Sequence, residues 1–206
     1  MSGHPKPPPA LAALDRRVAA FCCSVPKAEL HVHIEGTLEP ELELELALRN
    51  QLPLPFTSSA SAHEARDFSC LSDFLALYYG GCAVLMKQLD FHELCYAYLL
   101  KAASEGVKHA EIFFDPQSHL TRGVSWEAII CGLASGAAAA ERATGVTASL
   151  ILCFLRHLGA EAAMETLSAV LGNAERRSAI IGVGLDSVRP FTCCQAASFM
   201  RYPAAR

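Results

Sequence analysis

The chain has 206 residues, 52% of them hydrophobic and 18% charged, which is enough apolar material for a sizeable core and too much for general disorder. Its net charge of −4 and pI near 6.0 leave it without the basic stripe that duplex nucleic acid requires, so a small molecule or a protein is the expected partner. Nine cysteines are an odd number, and those in apolar stretches (Cys82, Cys95, Cys131, Cys153) behave as small hydrophobes, which points to a reducing compartment.

Residues Met1 to Pro9 are rich in Pro, Gly and Ser and read as a leader without regular structure, followed by a short helix from about Leu11 to Phe21. Asp15, Arg16 and Arg17 interrupt the apolar stretch from Pro9 to Cys23, which stops it from serving as a signal-peptide core or a membrane span. No membrane partner is expected, and the address is cytoplasmic, extending to the nucleus. Next comes Ala28–Ile34, the first of several short apolar runs; the others are Val107–Phe114, Thr147–Phe154 and Ala179–Leu185. Each is apolar on both faces and predicts a buried strand.

Helical patterns lie between these runs. Thr37–Arg49 carries leucines at 38, 42 and 46, and Phe68–Met86 adds a second stretch. Asp90 and Glu93 predict a capped helix that stops at Gly106; Ser125 opens another that ends near Gly145, and Gly159–Leu171 supplies a further one. The strand starts at 107, 147 and 179 are each one strand plus one helix apart, the repeat that builds parallel sheets, either doubly wound or closed into a barrel. Periodicity does not choose between the two. No Gly-x-Gly-x-x-Gly or P-loop pattern follows any strand.

His31 and His33 stand two apart at the end of the first predicted strand. Alternation along a strand puts both imidazoles on one face, where both can reach one metal ion. On spacing alone the stronger reading is structural, with each ring satisfied by a backbone partner. A position at the carboxyl end of a barrel strand favours ligation instead. The cysteine doublets Cys22–Cys23 and Cys193–Cys194, with no CxxC pair anywhere, argue against a cysteine zinc site.

The run from Pro26 to Pro40, PKAELHVHIEGTLEP, resembles the opening of the adenosine, AMP and adenine deaminase family. Tyr78–Gly81 (YYGG), His109–Gln117 (HAEIFFDPQ), Thr121–Gly123, Cys153–His157 (CFLRH) and Gly182–Ser187 (GVGLDS) are similar to its adenine deaminase branch. The resemblance runs from about Pro26 to Ser187. It implies an α/β fold, an incomplete (β/α)8 TIM barrel of about the first four βα units. It also implies a zinc ion (Zn2+) with His31 and His33 as its first two protein ligands, and a hydrolytic deamination that turns adenine into hypoxanthine and ammonia in purine salvage. In the family the metal is held by three histidines and an aspartate and activates water for attack on C6 of the purine, while a glutamate protonates the ring.

Glu35 is the residue expected to set the substrate. Adenosine-acting relatives carry Asp at this place and use it on the ribose; a Glu is one methylene longer and intrudes on the sugar's space, which favours a free base. The alternative is a supporting role for His33 or for the start of the following helix. His119 with Arg122, and Arg156 with His157, fall in loops after strands, where substrate contact and structural hydrogen bonding both stay open. Glu111 and Asp115 flank an apolar strand and read as partners for nearby backbone or Arg groups.

The sequence departs from the family in one respect that matters. The His-Ala-Gly-Glu motif, which supplies the third zinc histidine and the catalytic glutamate, is absent, so no catalytic residue is assigned. After Ser187 the chain reads Val188-Arg189-Pro190-Phe191-Thr192-Cys193-Cys194 where the family has Ser-Glu. The expected organisation is a leader and short helix over 1–25, a partial barrel over 26–187, and a tail over 188–206 foreign to the family, as a frameshift or alternative gene model would leave. Such a chain is expected to hold zinc weakly, to self-associate through exposed strand edges and to lack deaminase activity alone. It is either an enzyme by ancestry or a non-catalytic half-barrel acting only by association, with adenosine- or AMP-deaminase-like activity as a further alternative.

Overall fold

The structure, a computed structural model, describes residues 16–64, 66 and 71–187. The predicted leader, the beginning of the first helix and the 188–206 tail lie outside the described residues. The chain opens with α1 (Arg16–Ser24), β1 (Lys27–His33) and a 3-10 turn over Ile34–Thr37. A helical excursion follows: α2 (Pro40–Asn50), α3 (Ser59–Glu64), α4 (Leu71–Cys82) and α5 (Gln88–Ser104). Then come β2 (Val107–Phe114), α6 (Pro116–Leu120), α7 (Trp126–Thr144) and β3 (Thr147–Leu155). A 3-10 turn over Arg156–Leu158 leads to α8 (Gly159–Leu171), α9 (Ala174–Ser178) and β4 (Ile180–Asp186). Among the described residues no helix is long and apolar enough to cross a membrane.

The helix ends follow from local chemistry. Ser125 accepts the Ala128 N–H at 3.1 Å and so caps α7, while Gly145, at φ 77°, takes the left-handed conformation that ends it. The expected helix from Thr37 begins instead at Pro40, whose ring fits the first turn, with the 3-10 turn before it. The expected Asp90–Glu93 capping pair is also different. Asp90 sits buried in the first turn of α5 and takes the Met86 and Lys87 N–H groups at 2.9 and 2.8 Å, whereas Glu93 turns aside to Arg49 at 2.7 Å. Helices α3, α6 and α9 have six, five and five residues, too short to show a period in sequence.

The four strands form one parallel sheet in the order β1-β2-β3-β4, so β1 and β4 are its edges. On one side, α5 and α7 cross β2 and β3 and enclose the main core, in which Phe91, Leu94, Ile112, Phe114, Leu133 and Leu152 are essentially inaccessible. The helices meet closely because Gly132 and Gly136 carry no side chain. A Cβ at these positions would stand 2.5 Å from the Gln88 carbonyl oxygen and 2.4 Å from that of His92.

The expectation of strands buried on both faces holds best for β3. On β4, Ile181, Val183 and Leu185 are 62%, 57% and 51% exposed, because this edge strand has no helix over its outer side among the described residues. Gly182 and Gly184 pair with Ile151 and Cys153 and look to the opposite, open side of the sheet. Strand β1 contains a bulge. Glu29 pairs with Ala110 and Val32 with Ile112, so three steps on β1 match two on β2. Without that extra residue, alternation from Ala28 would turn position 33 towards the helices; with it, His33 pairs with Phe113 and faces the open side.

Candidate functional site

The His31 and His33 rings lie on one side of the sheet, as their spacing predicts, with centroids 5.6 Å apart and both against Phe113, at 4.9 and 5.2 Å. The backbone partners of the structural alternative are missing: among the described residues neither ring makes a hydrogen bond, and His33 Nδ1 is buried without one. Its nearest acid is Asp186, with Oδ2 at 3.7 Å. A cavity of about 270 Å³ adjoins both rings, Tyr78 and Asp186. Two unspent imidazoles on one face, beside a carboxylate, are a donor set that suits a divalent metal.

Behind them lies a buried polar network. Glu35, 3% exposed in the 3-10 turn after β1, accepts the Asp115 backbone N–H at 2.8 Å through Oε1. His119 Nε2 approaches the same oxygen at 3.1 Å. A guanidinium can only donate, and Arg122 stands 2.7 Å from His119 Nδ1; the ring proton therefore belongs on Nε2, aimed at Glu35. Arg122 also donates to the Ala83 carbonyl at 2.7 Å, which ties this network to the connection between α4 and α5. The Tyr78 hydroxyl donates to Asp115 Oδ2 at 2.9 Å and stands 3.3 Å from Glu35 Oε2.

The charges follow from this crowding. Burial, followed by the Glu35 and Asp115 charges, pushes Tyr78 far above its ordinary value, so it remains a proton donor. Burial first, and then Glu35 and the facing Asp186, push Asp115 up to about 10. Asp186 moves the other way: burial opposes its ionisation, but the hydrogen bond from Asp115, the Ser187 backbone and the charges of His33 and Arg156 hold it low. One proton is thus shared between two facing carboxyls. Cys153, also buried, is pushed well up by burial and by these acids.

Residues 26–204 match the family model for adenosine deaminase. The chain belongs to the adenosine deaminase family. It is 52% identical over 169 residues to the adenine deaminase of Caulobacter vibrioides, covering 82% of this chain and 48% of that protein. With the adenine deaminase of Rhodospirillum rubrum it shares 53% over 168 residues, 82% of this chain and 49% of the relative. The crystal structure of an adenine deaminase from Arthrobacter aurescens overlays with a TM-score of 0.75 at 44% identity, covering 80% of this chain and 49% of that one. A zinc-bound amidohydrolase from Burkholderia ambifaria gives 0.71 at 26%, covering 85% and 48%. The chain spans about half the length of the curated relatives it matches. These neighbours decide between the two parallel-sheet architectures: the fold is an incomplete (β/α)8 barrel, about the first four βα units.

Within this adenosine deaminase fold, the residues for which substrate contact and structural hydrogen bonding both stayed open make internal hydrogen bonds. His119 and Arg122 are internal hydrogen-bonding groups that hold Glu35. Arg156 Nε donates to the Ser187 carbonyl at 2.9 Å and its NH2 reaches the same oxygen, while His157 Nδ1 lies 2.8 Å from Ser187 Oγ; together they clasp the end of β4. Glu111 faces the open side of β2 opposite Ser149. Cys131, expected to be buried, is exposed, whereas Cys82, Cys95 and Cys153 are buried as expected.

Asp115, Asp186 and Cys153 were legible only as a filler acid, part of a motif and a core thiol. The available signal was positional: Asp115 follows the last residue of β2, Asp186 ends β4, and Cys153 lies near the end of β3. The carboxyl ends of parallel strands are where such folds assemble ligand sites.

Proposed function

We propose that this chain carries part of a zinc-dependent adenine deaminase site, for the hydrolysis of adenine to hypoxanthine and ammonia in cytoplasmic purine salvage. The observation that carries this reading is the His31–His33 pair, whose rings make no hydrogen bond among the described residues and lie beside Asp186 and a cavity of about 270 Å³. His31 and His33 would hold the metal, with the Asp186 carboxylate offsetting its charge. The bound metal supplies Lewis-acid activation of water. The other side chains bind and orient. Tyr78 keeps its proton and presents an O–H. Glu35 also borders a cavity of about 210 Å³ with Gly36 and Phe74. Its longest contact, 3.3 Å to Tyr78, is the one a purine N–H displaces most readily, and a carboxylate can only accept from such a group.

The sequence holds no His-Ala-Gly-Glu, so the third histidine and the proton-donating glutamate are not among its residues. Negligible turnover by the 206-residue chain alone is therefore the expected result. The exposed apolar side of β4 favours a second reading for the isolated chain, a non-catalytic half-barrel that acts by association. One experiment addresses both. Zinc per chain and ammonia release from adenine, adenosine and AMP are measured across size-fractionated protein, for the wild type and for His31→Asn with His33→Asn. Zinc that is lost in the double variant supports the ligand pair; zinc retained in it removes the pair from the account. Ammonia released faster from adenosine or AMP than from adenine overturns the adenine assignment, and rapid release from a monomeric fraction overturns the expected inactivity.

A further inference from the structure

Both edges of the sheet carry apolar side chains that no element covers among the described residues. On β4 these are Ile181, Val183 and Leu185; at the opposite edge Leu30 of β1 is exposed, as are Val18 and Phe21 of the preceding α1. On its helical side β1 also borders a groove of about 420 Å³, lined by Leu42, Leu94, Tyr98 and Val107 together with Glu29 and Lys101. Each edge strand has a strand neighbour on one side only, so each presents a row of backbone N–H and C=O groups to its other side. The two edges suit each other. All four strands run in one direction, so the strand that continues the sheet beyond β4 in the same sense is one that offers the free edge of β1. A contact between unlike edges either closes into a ring or runs on as an open chain, according to the rotation it imposes. Here the curvature sets the rotation: the four strands follow half of a closed eight-stranded barrel, so each copy turns through about half a circle and two copies complete it.

We propose that the partner of these edges is a second copy of this chain: β4 of each copy pairs in parallel with β1 of the other, and a two-fold axis along the barrel closes an eight-stranded ring. The proposal rests on the reading of the isolated chain as a half-barrel that acts by association, and on neither the zinc nor the adenine assignment. In the ring the row Ile181, Val183 and Leu185 of one copy runs beside β1 of the other, along the groove lined by Leu42, Leu94 and Val107, and this apolar surface leaves water. The unpaired backbone groups of both edges gain partners in the same step. Because every strand stays parallel, the carboxyl ends of both sheets open at one mouth. The open side of each sheet, with its cavity beside His31 and Tyr78, then has the open side of the other copy as its opposite wall.

The test is sedimentation equilibrium of the 206-residue chain and of two edge variants, Leu30→Lys on β1 and Val183→Lys on β4, with circular dichroism to confirm that each is folded. Both positions are more than half exposed, so a single chain accommodates either lysine; Leu30→Thr and Val183→Thr replace a lysine variant that fails to fold. The wild type is expected to be a dimer. Each variant damages one side of both contacts and is expected to dissociate at least about tenfold more readily. An equimolar mixture of the two variants keeps one contact between an undamaged β4 and an undamaged β1, and the dimer is expected to return in it. A wild type that stays monomeric overturns the proposal and the association reading together. A species that grows beyond the dimer is an open chain and overturns the closed ring. A dimer that either variant leaves intact, or that does not return in the mixture, is held by some other surface; it overturns the pairing of β4 with β1 and leaves association standing. Binding of cobalt(II), a spectroscopic stand-in for zinc, is followed on the same samples and reports separately on the His31–His33 pair.

Discussion

The two flanks of the sheet's helical side differ in what covers them. Over β2 and β3, α5 and α7 approach so closely that a Cβ at Gly136 would stand 2.4 Å from the His92 carbonyl oxygen, and Phe91, Leu94 and Leu133 fill the interior beneath. Over β4, Ile181, Val183 and Leu185 are more than half exposed. The sealed flank and the site share a wall: Phe91 of α5 packs edge-on against His119, ring centroids 4.9 Å apart, and His119 holds Glu35. The open flank reaches the site through Asp186 at the end of β4 and through Gly184, which lies close to Phe113 and Cys153. Stability and the orientation of Glu35 therefore belong to one side of the molecule, and the surface available for association to the other.

The largest expected effect breaks the sealed flank. Gly136→Leu must push α5 and α7 apart, and a loss of about 3 kcal/mol or more is expected by urea unfolding. A loss below about 1 kcal/mol would mean the helices have room to spare and that the close crossing is not what seals this side. Next in size is His119→Phe, which keeps the aromatic contact with Phe91 but removes the bonds to both Glu35 and Arg122. The expected cost is about 2–3 kcal/mol, because a buried carboxylate and a half-buried guanidinium each lose a partner. An unchanged denaturation midpoint would detach the network from the stability of the sealed flank.

Gly184→Ala probes the boundary between the two flanks. Its methyl group would meet the Phe113 ring at 2.8 Å and Cys153 Sγ at 3.0 Å, and a loss of about 1–2 kcal/mol is expected. Shifting Phe113 also disturbs the two histidine rings packed against it, so the same variant is expected to bind cobalt(II) less tightly than the wild type. Undiminished affinity together with undiminished stability would mean that the open face of the sheet is looser than these contacts indicate.

Much of the fold was legible in the sequence because buried parallel strands and long capped helices leave strong marks. Val107–Phe114 and Gly159–Leu171 have the same bounds in sequence and in structure. The histidine pair was legible too, since positions two apart share a face. What could not be read was everything set by distant partners. The bulge that turns His33 towards the open side appears only when Glu29 and Val32 are paired against β2. The partners of Glu35 lie 43, 80 and 84 positions away, in Tyr78, Asp115 and His119. Cys131 and Cys153 both sit in apolar stretches, yet one is exposed and the other lies beside His33 and Asp115, a difference that local composition does not carry.

The smallest effect on stability is expected on the open flank, and it is the other half of the comparison. Ile181→Thr combined with Val183→Thr keeps the β-branched shape that suits a strand while adding a hydroxyl to each exposed side chain. Among the described residues nothing is packed tightly against these positions, so each change should alter unfolding stability by no more than about 0.5 kcal/mol. Association should respond instead. If the chain self-associates through this edge, sedimentation should show the oligomer dissociating in the double variant at concentrations where the wild type stays assembled. A stability loss approaching that of Gly136→Leu would show that β4 is covered after all, and the distinction between the two flanks would fall with it.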